Sequence, residues 1–397
     1  MINHDEGIYR QLQQHLDRLP AGFPKVESGL DIRLLKRLFT PEEAQLATAL
    51  SLKPETLGKI HRRARKMGFT LEKTRELLDR MAKKGTILTH LEGYKEKHYS
   101  NASFSVGGIY NYQVDRLSPD LIKDYWQYQA EARSRARSLQ GRTTTPEKKA
   151  KAPARKMLPL RTVPVEKSLS NGRKRPVGNY DDIRKIIQNV PGPIAVANCI
   201  CRQSTDILGT PCKVTDLRET CLIIGPDHAR RHVEMGIGRF ISQDEALEIL
   251  DQAQSAGLIL QPENSRKPEA ICCCCGDCCV LLKQLKRAPR PADLFITNYY
   301  IEVDTALCNG CGACVDRCQL AARELVENVS TVKRERCIGC GNCVPVCPTG
   351  ANRLLKKASE EPLFKDKDEY YMTMLASRVG RWGYLKIRLK MLLGMRV

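Results

Sequence analysis

Eight cysteines between Leu307 and Ala351 fall into two copies of one spacing, and nothing else in the chain restricts its fold so tightly. Cys308, Cys311, Cys314 and Cys318 form C-x2-C-x2-C-x3-C, and Cys337, Cys340, Cys343 and Cys347 repeat it. Aligning Leu307 to Ala322 with Arg336 to Ala351 superimposes four cysteines, two glycines, a valine and a final alanine, the mark of an internal duplication. Gly310, Gly312, Gly339 and Gly341 stand between the cysteines, where a tight loop needs positive φ and close backbone approach. The first residues, Met1-Ile-Asn-His-Asp-Glu6, have neither the basic start nor the apolar core of a signal peptide, so a reducing, cytoplasmic setting is expected. There, clustered cysteines mean metal rather than disulfides.

Over about fifty residues this double run resembles the bacterial two-cluster 4Fe-4S ferredoxins. The resemblance implies two [4Fe-4S] clusters, the fourth cysteine of each half serving the other cluster. One cluster then takes Cys308, Cys311, Cys314 and Cys347, and the other takes Cys337, Cys340, Cys343 and Cys318. One departure stands out: Pro348 follows Cys347, but Gln319 follows Cys318, so the proline usual after the crossing cysteine is missing once. That turn is expected to loosen while keeping its ligand. Two four-cysteine zinc sites are the competing reading. Zinc, however, has no use for a third cysteine at the same interval in each half.

With 397 residues the chain has room for two to four domains, and no apolar run approaches the roughly 18 residues of a membrane span. The formal net charge of +20 suits nucleic acid, an anionic membrane surface or an acidic protein partner. Much of it sits in the linker and tail, which argues against one folded basic groove.

Residues 1–130 read as a helical domain that resembles a winged helix. Thr40-Pro41-Glu42-Glu43 opens one helix, Leu52-Lys53-Pro54-Glu55 a second, and Thr70-Leu71-Glu72-Lys73 a third that Gly85 ends before the strand-like Thr86 to Thr89. On a DNA reading, Lys73 to Lys84 is the recognition helix and the segment at Lys95 and Lys97 the wing. The same fold serves as a protein docking module, which is the favoured use beside a ferredoxin. The aromatics from Tyr110 to Tyr128 are expected to pack this domain rather than stack bases.

From Arg133 to Arg175 the chain is basic and poor in large apolar residues, and 131–157 reads as a linker. Residues 158–290 form a cysteine-rich α/β domain. Ile194 to Ala197 is a buried strand with Cys199 and Cys201 at its end, Cys212 and Cys221 follow, and Ser242 caps a helix ended by Gly257. Between Cys272 and Cys279, six of eight residues are cysteine, too many for satisfied core thiols. A third metal site is expected, an iron-sulfur cluster or zinc, from Cys199, Cys201 and members of the 272–279 group. Adjacent cysteines cannot all face one cluster. His228 and His232, four apart, are either helix-borne ligands or a solvated face.

The ferredoxin domain spans 296–357, with Ile301 to Asp304 as its first strand, and 358–397 is a basic amphipathic tail. The tail is suited to docking on a partner or on the chain itself, or to peripheral contact with a membrane. The fold class expected is α+β and multi-domain: a winged-helix-like N-terminal domain, an α/β cysteine-rich centre and a ferredoxin-like dicluster domain. The expected work is single-electron relay through two [4Fe-4S] clusters to or from a flavoprotein or dehydrogenase, as a subunit or carrier rather than an enzyme by itself. A redox-responsive DNA-binding regulator is the alternative.

Overall fold

The computed structural model describes residues 4–105, 107–143, 159–169 and 180–392, and most of the basic linker lies outside them. The chain divides into two units: Met1–Arg155 with Glu234–Ile237 and Tyr371–Val397, and Lys156–Val233 with Gly238–Tyr370.

The first unit contains α1 (His4–Asp17), α2 (Leu30–Leu38), α3 (Pro41–Ala47), β1 (Glu55–Thr56), α4 (Leu57–Ala64), α5 (Leu71–Lys83), β2 (Ile87–His90), β3 (His98–Asn101) and α6 (Pro119–Thr143). Thr40 and Glu43 make the reciprocal bonds of a capping box ahead of α3, with Pro41 in the first turn. The helix expected from Leu52 onward starts only at Leu57, because Glu55 and Thr56 pair with Tyr99 and His98 as an edge strand. Thr56 then caps α4 by accepting from the Lys59 N–H. The three strands lie in the order β1-β3-β2, antiparallel throughout. Tyr110 stacks on Tyr125 with ring centroids 3.6 Å apart, and Phe23, Phe104 and Tyr128 pack around each other, so these aromatics are core. Helix α6 continues to Thr143, past the point where the composition reads as linker. Its alanines, arginines and glutamines are polar on average yet good helix formers.

The second unit begins with residues 159–169, where Leu160 and Val163 bridge to Glu263 and Leu260, and includes α7 (Glu166–Leu169). There follow α8 (Ile183–Gln188), β4 (Ile194–Asn198), α9 (Ile200–Ile207), β5 (Glu219–Ile224), α10 (Pro226–Glu234), β6 (Arg239–Ile241), α11 (Gln243–Ser255), β7 (Ile259–Pro262), β8 (Ala270–Cys274) and α12 (Val280–Lys286). The strands form one antiparallel sheet, β6-β4-β5-β8-β7. Alternation along a strand assigns the two faces. Ile194, Val196, Leu222, Ile271 and Cys273 pack with Ala246, Leu250 and Ala253 of α11, whereas Ala195, Ala197 and Ile223 pack with Ala229 of α10.

The double cysteine run is carried by β9 (Tyr299–Val303), α13 (Ala313–Asp316), β10 (Arg323–Val326), β11 (Val329–Val332) and β12 (Asn352–Lys356). β9 pairs with β12, and β10 with β11, all antiparallel. Glu327 and Asn328 both have positive φ, which is how a two-residue hairpin loop matches the twist of its strands. This module shares its unit with the cysteine-rich sheet. The C-terminal end of α11 faces it, and Arg317 donates to the carbonyls of Gln254 and Ser255 while Asn342 donates to those of Gly257 and Leu258. A guanidinium on unsatisfied helix-end carbonyls is a favourable charge placement.

The last helix, α14 (Lys367–Leu392), is interrupted by non-helical backbone at Gly380. Among the described residues, no helix is long and apolar enough to cross a membrane.

Candidate metal centres

The two cysteine loops are held open by close backbone contacts. A methyl group on Gly310 would lie 2.3 Å from the Asn328 carbonyl oxygen, and one on Gly339 would lie 2.2 Å from that of Tyr299. Only glycine fits at these two related positions, each at positive φ.

Cys308, Cys311, Cys314 and Cys347 line one hollow, with Ser330, Thr349 and Asn352 on its wall. Cys318, Cys337, Cys340 and Cys343 line a second, with Arg323 and Asn342. The fourth cysteine of each half thus stands with the triplet of the other half.

Donors converge on these sulfurs. Cys308 Sγ accepts from the Ser330 N–H at 3.3 Å, Cys318 Sγ from the Ala322 N–H at 3.2 Å, and Cys314 Sγ from Arg323 at 3.4 Å with the Ser330 hydroxyl at 3.1 Å. Burial opposes a thiolate at Cys314, but Ser330 and Arg323 outweigh it and the thiol pKa falls below its usual value. In the second hollow burial dominates: it pushes Cys340 up to about 12 and Cys343 well above the ordinary thiol range. Only a bound cation would keep those sulfurs ionised. Arg323 is itself buried, bonding Ser330 and Asn352, with no partner among the described residues for its Nε and Nη1. A guanidinium left unpaired in the protein interior is costly. An anionic cluster of four thiolates in either hollow supplies the missing countercharge, so these residues fit the group that the spacing implies.

The cysteine-rich sheet adds more thiols. Cys272 and Cys274 share one face of β8, and Cys221 is the cross-strand partner of Cys272. Neighbouring thiols run from Cys221 to Cys272, Cys274, Cys279, Cys201 and Cys199. The backbone N–H groups of Arg202, Val280 and Leu282 favour the ionised forms of Cys199, Cys201 and Cys279. In their midst Arg202 is fully buried, bonded to the Thr220 hydroxyl and the Cys273 carbonyl, with its Nε unpartnered among the described residues. Burial opposes its charge, yet the surrounding thiols reverse that effect and raise its pKa. Cys272, Cys274 and Cys279 pack against Leu320 and Ile338, beside Cys318 and Cys340 of the second hollow.

Cys273 and Cys275 belong to the opposite face with Cys212 and Cys278. Cys199 and Cys201 therefore join the run of thiols that reaches Cys279, Cys274 and Cys272, whereas Cys273, Cys275 and Cys278 pack on the other face. Cys221 joins them, a residue the spacing could not assign because its register against β8 is a tertiary fact. His228 and His232 are buried away from the thiols, with Nδ1 bonded to the carbonyls of Glu269 and His228 respectively. Burial pushes both below the ordinary histidine range, His232 to about 4.

On the basic helix α5 and its hairpin, Lys73 pairs with Glu42 and Glu76, Arg80 with Glu43 and Glu76, Lys84 follows with Glu43, and Lys97 pairs with Asp79.

The family model for a 4Fe-4S dicluster domain matches residues 300–348. No curated protein and no solved structure matches the chain significantly. Residues 300–348 are an iron-sulfur, ferredoxin-like domain within a mixed helix-and-sheet chain, and an iron-sulfur electron-transfer role follows for it.

Proposed function

We propose that this chain relays single electrons through two [4Fe-4S] clusters to or from a partner oxidoreductase, as a subunit or carrier. One cluster is held by Cys308, Cys311, Cys314 and Cys347, the other by Cys337, Cys340, Cys343 and Cys318. The observation that carries this reading is the pair of hollows, each lined by four cysteines drawn from both halves of the duplication. A cubane cluster supplies a one-electron site whose potential, within roughly −700 to +450 mV, follows charge, hydrogen bonding and exposure. The chain's own part is rigid ligation, N–H groups directed at sulfur, and two buried guanidinium groups, Arg323 and Arg202, that favour negative charge.

A third cluster drawn from Cys199, Cys201, Cys221, Cys272, Cys274 and Cys279 extends the line from the second hollow into the cysteine-rich sheet, since those thiols pack beside Cys318 and Cys340. The partner is a flavoprotein or dehydrogenase of the cytoplasm. Beyond Gly380, Trp382, Leu385, Leu389 and Leu392 are exposed among basic residues, a surface suited to that partner before a membrane.

The order of elements in the first unit, helix, short strand, two helices and hairpin, supports a winged-helix domain. A DNA-binding regulator is the second reading. The in-house acidic partners of Lys73, Arg80, Lys84 and Lys97 favour protein docking over it. EPR of the reduced, anaerobically purified protein tests the relay: the spectrum of two interacting clusters is expected, simplified in Cys347→Ser. Tight, salt-sensitive and sequence-selective gel shifts on promoter DNA would turn the assignment to the regulator.

A further inference from the structure

The six-thiol face of β8 leaves four ligand groups on the other side, and these have a different geometry. Cys212, Cys275, Asp277 and Cys278 each direct one ligand atom into a common space, all four atoms lying within 4.8 Å of one another. Cys212 Sγ is 3.7 Å from Cys275 Sγ and 3.6 Å from Asp277 Oδ1. For a single tetrahedral zinc, with bonds of about 2.3 Å to sulfur and about 2.1 Å to oxygen, the edges of the tetrahedron come to roughly 3.8 Å for S···S and 3.6 Å for S···O. A cubane needs its thiolates spread further, around an Fe4S4 core. The two edges at Cys212 match a single ion, and the other separations stay within 4.8 Å.

We propose that Cys212, Cys275, Asp277 and Cys278 bind a structural zinc ion, separate from the iron-sulfur ligands. Cys275-Gly276-Asp277-Cys278 is a C-x2-C knuckle at the turn between β8 and α12, and Cys212 comes from the loop after α9. The carboxylate is oriented by its other oxygen, which accepts from the Lys213 N–H at 2.8 Å, and Cys278 Sγ accepts from the Thr205 hydroxyl at 3.3 Å. Such outer partners fix ligands for a metal. Cys212, Cys275 and Cys278 are buried and Asp277 half-buried, and four protein ligands would leave no open position on the ion, as in structural zinc sites.

The ion would have a defined mechanical task. Gly276, inside the knuckle, donates its N–H to Gln319 Oε1 at 2.6 Å, and a methyl group there would lie 2.4 Å from the Gln319 carbonyl oxygen. Gln319 follows Cys318, which lines the second hollow. Zinc therefore clamps the turn against which the ferredoxin-like module is seated.

The test is metal analysis of the full chain, purified without oxygen and washed with a mild chelator, for zinc and iron together. About one zinc per chain is expected beside the iron. Cys212→Ser and the milder Asp277→Asn should each lower zinc at least severalfold and leave iron per chain unchanged. Cobalt in place of zinc should give the intense visible bands of a tetrahedral thiolate site, altered in Asp277→Asn. Three results would overturn the assignment: no zinc in the wild type, loss of iron rather than zinc in Cys212→Ser, or a disulfide among Cys212, Cys275 and Cys278 in protein quenched without oxidation.

Discussion

Arg323 touches the Cys314 sulfur and lines the second hollow, so its charge acts on both proposed clusters. A buried cation favours the more negative, reduced state. Arg323→Met should therefore lower the potentials, on the order of 50–100 mV for a unit charge several ångströms away in a partly polar interior. Arg323→Lys should recover part of the shift, and an EPR-monitored redox titration measures both; unchanged or raised potentials would refute the role. Gln319 shows what a single-residue reading misses. Where related loops have proline, the sequence suggests only a looser turn. In the fold Gln319 accepts from Gly276 and donates to the Gly257 carbonyl at 2.9 Å, tying the turn to the neighbouring sheet. Gln319→Ala removes two partly buried hydrogen bonds and should cost about 1–3 kcal/mol in denaturant unfolding. An unchanged unfolding free energy would show that these two bonds do not hold the turn. No residue count could reveal these contacts, because both partners lie more than 40 positions away.

At the level of elements, the cysteine loops and capped helices were legible, because ligand spacing and capping residues are local. The buried run at β4 was legible for the same reason. The start of α4 was not, since a strand pairing 40 residues away claims Glu55 and Thr56. Nor was the division of the dense cysteine stretch: alternation predicts two faces, but only the register of β5 against β8 brings Cys221 to one, and only the packing of the loop after α9 brings Cys212 to the other. Helix α10 carries a pH dependence of its own. His232 titrates near 4 when folded against about 6.5 unfolded, because burial disfavours its charge. The unfolded chain binds the extra proton first, so stability is full above about pH 6.5 and is lost as the pH falls toward 4. Within that window the slope reaches about 1.4 kcal/mol per pH unit for this residue, and His228 adds in the same direction. In His232→Gln the unfolding free energy should fall less between pH 7 and pH 5; an unaltered slope would show that the imidazole is already charged in the fold.

For the whole molecule, the double cysteine run made an iron-sulfur domain legible from sequence, whereas the arrangement around it was not. The cysteine-rich sheet and the dicluster module belong to one unit, joined through Arg317, Gln319 and Asn342, polar residues that composition would assign to the surface. The charge of +20 gives no comparable guide, since its basic residues in the first unit are partly paired in house. On the proposed function, cubes of iron and sulfide are held between the halves of the duplication. Iron and acid-labile sulfide per chain, counted on anaerobically purified protein, test it most directly. At least about eight of each in equal numbers are expected, and about twelve with the third cluster in the cysteine-rich sheet. A colourless chain carrying zinc in place of iron at these eight cysteines would contradict it.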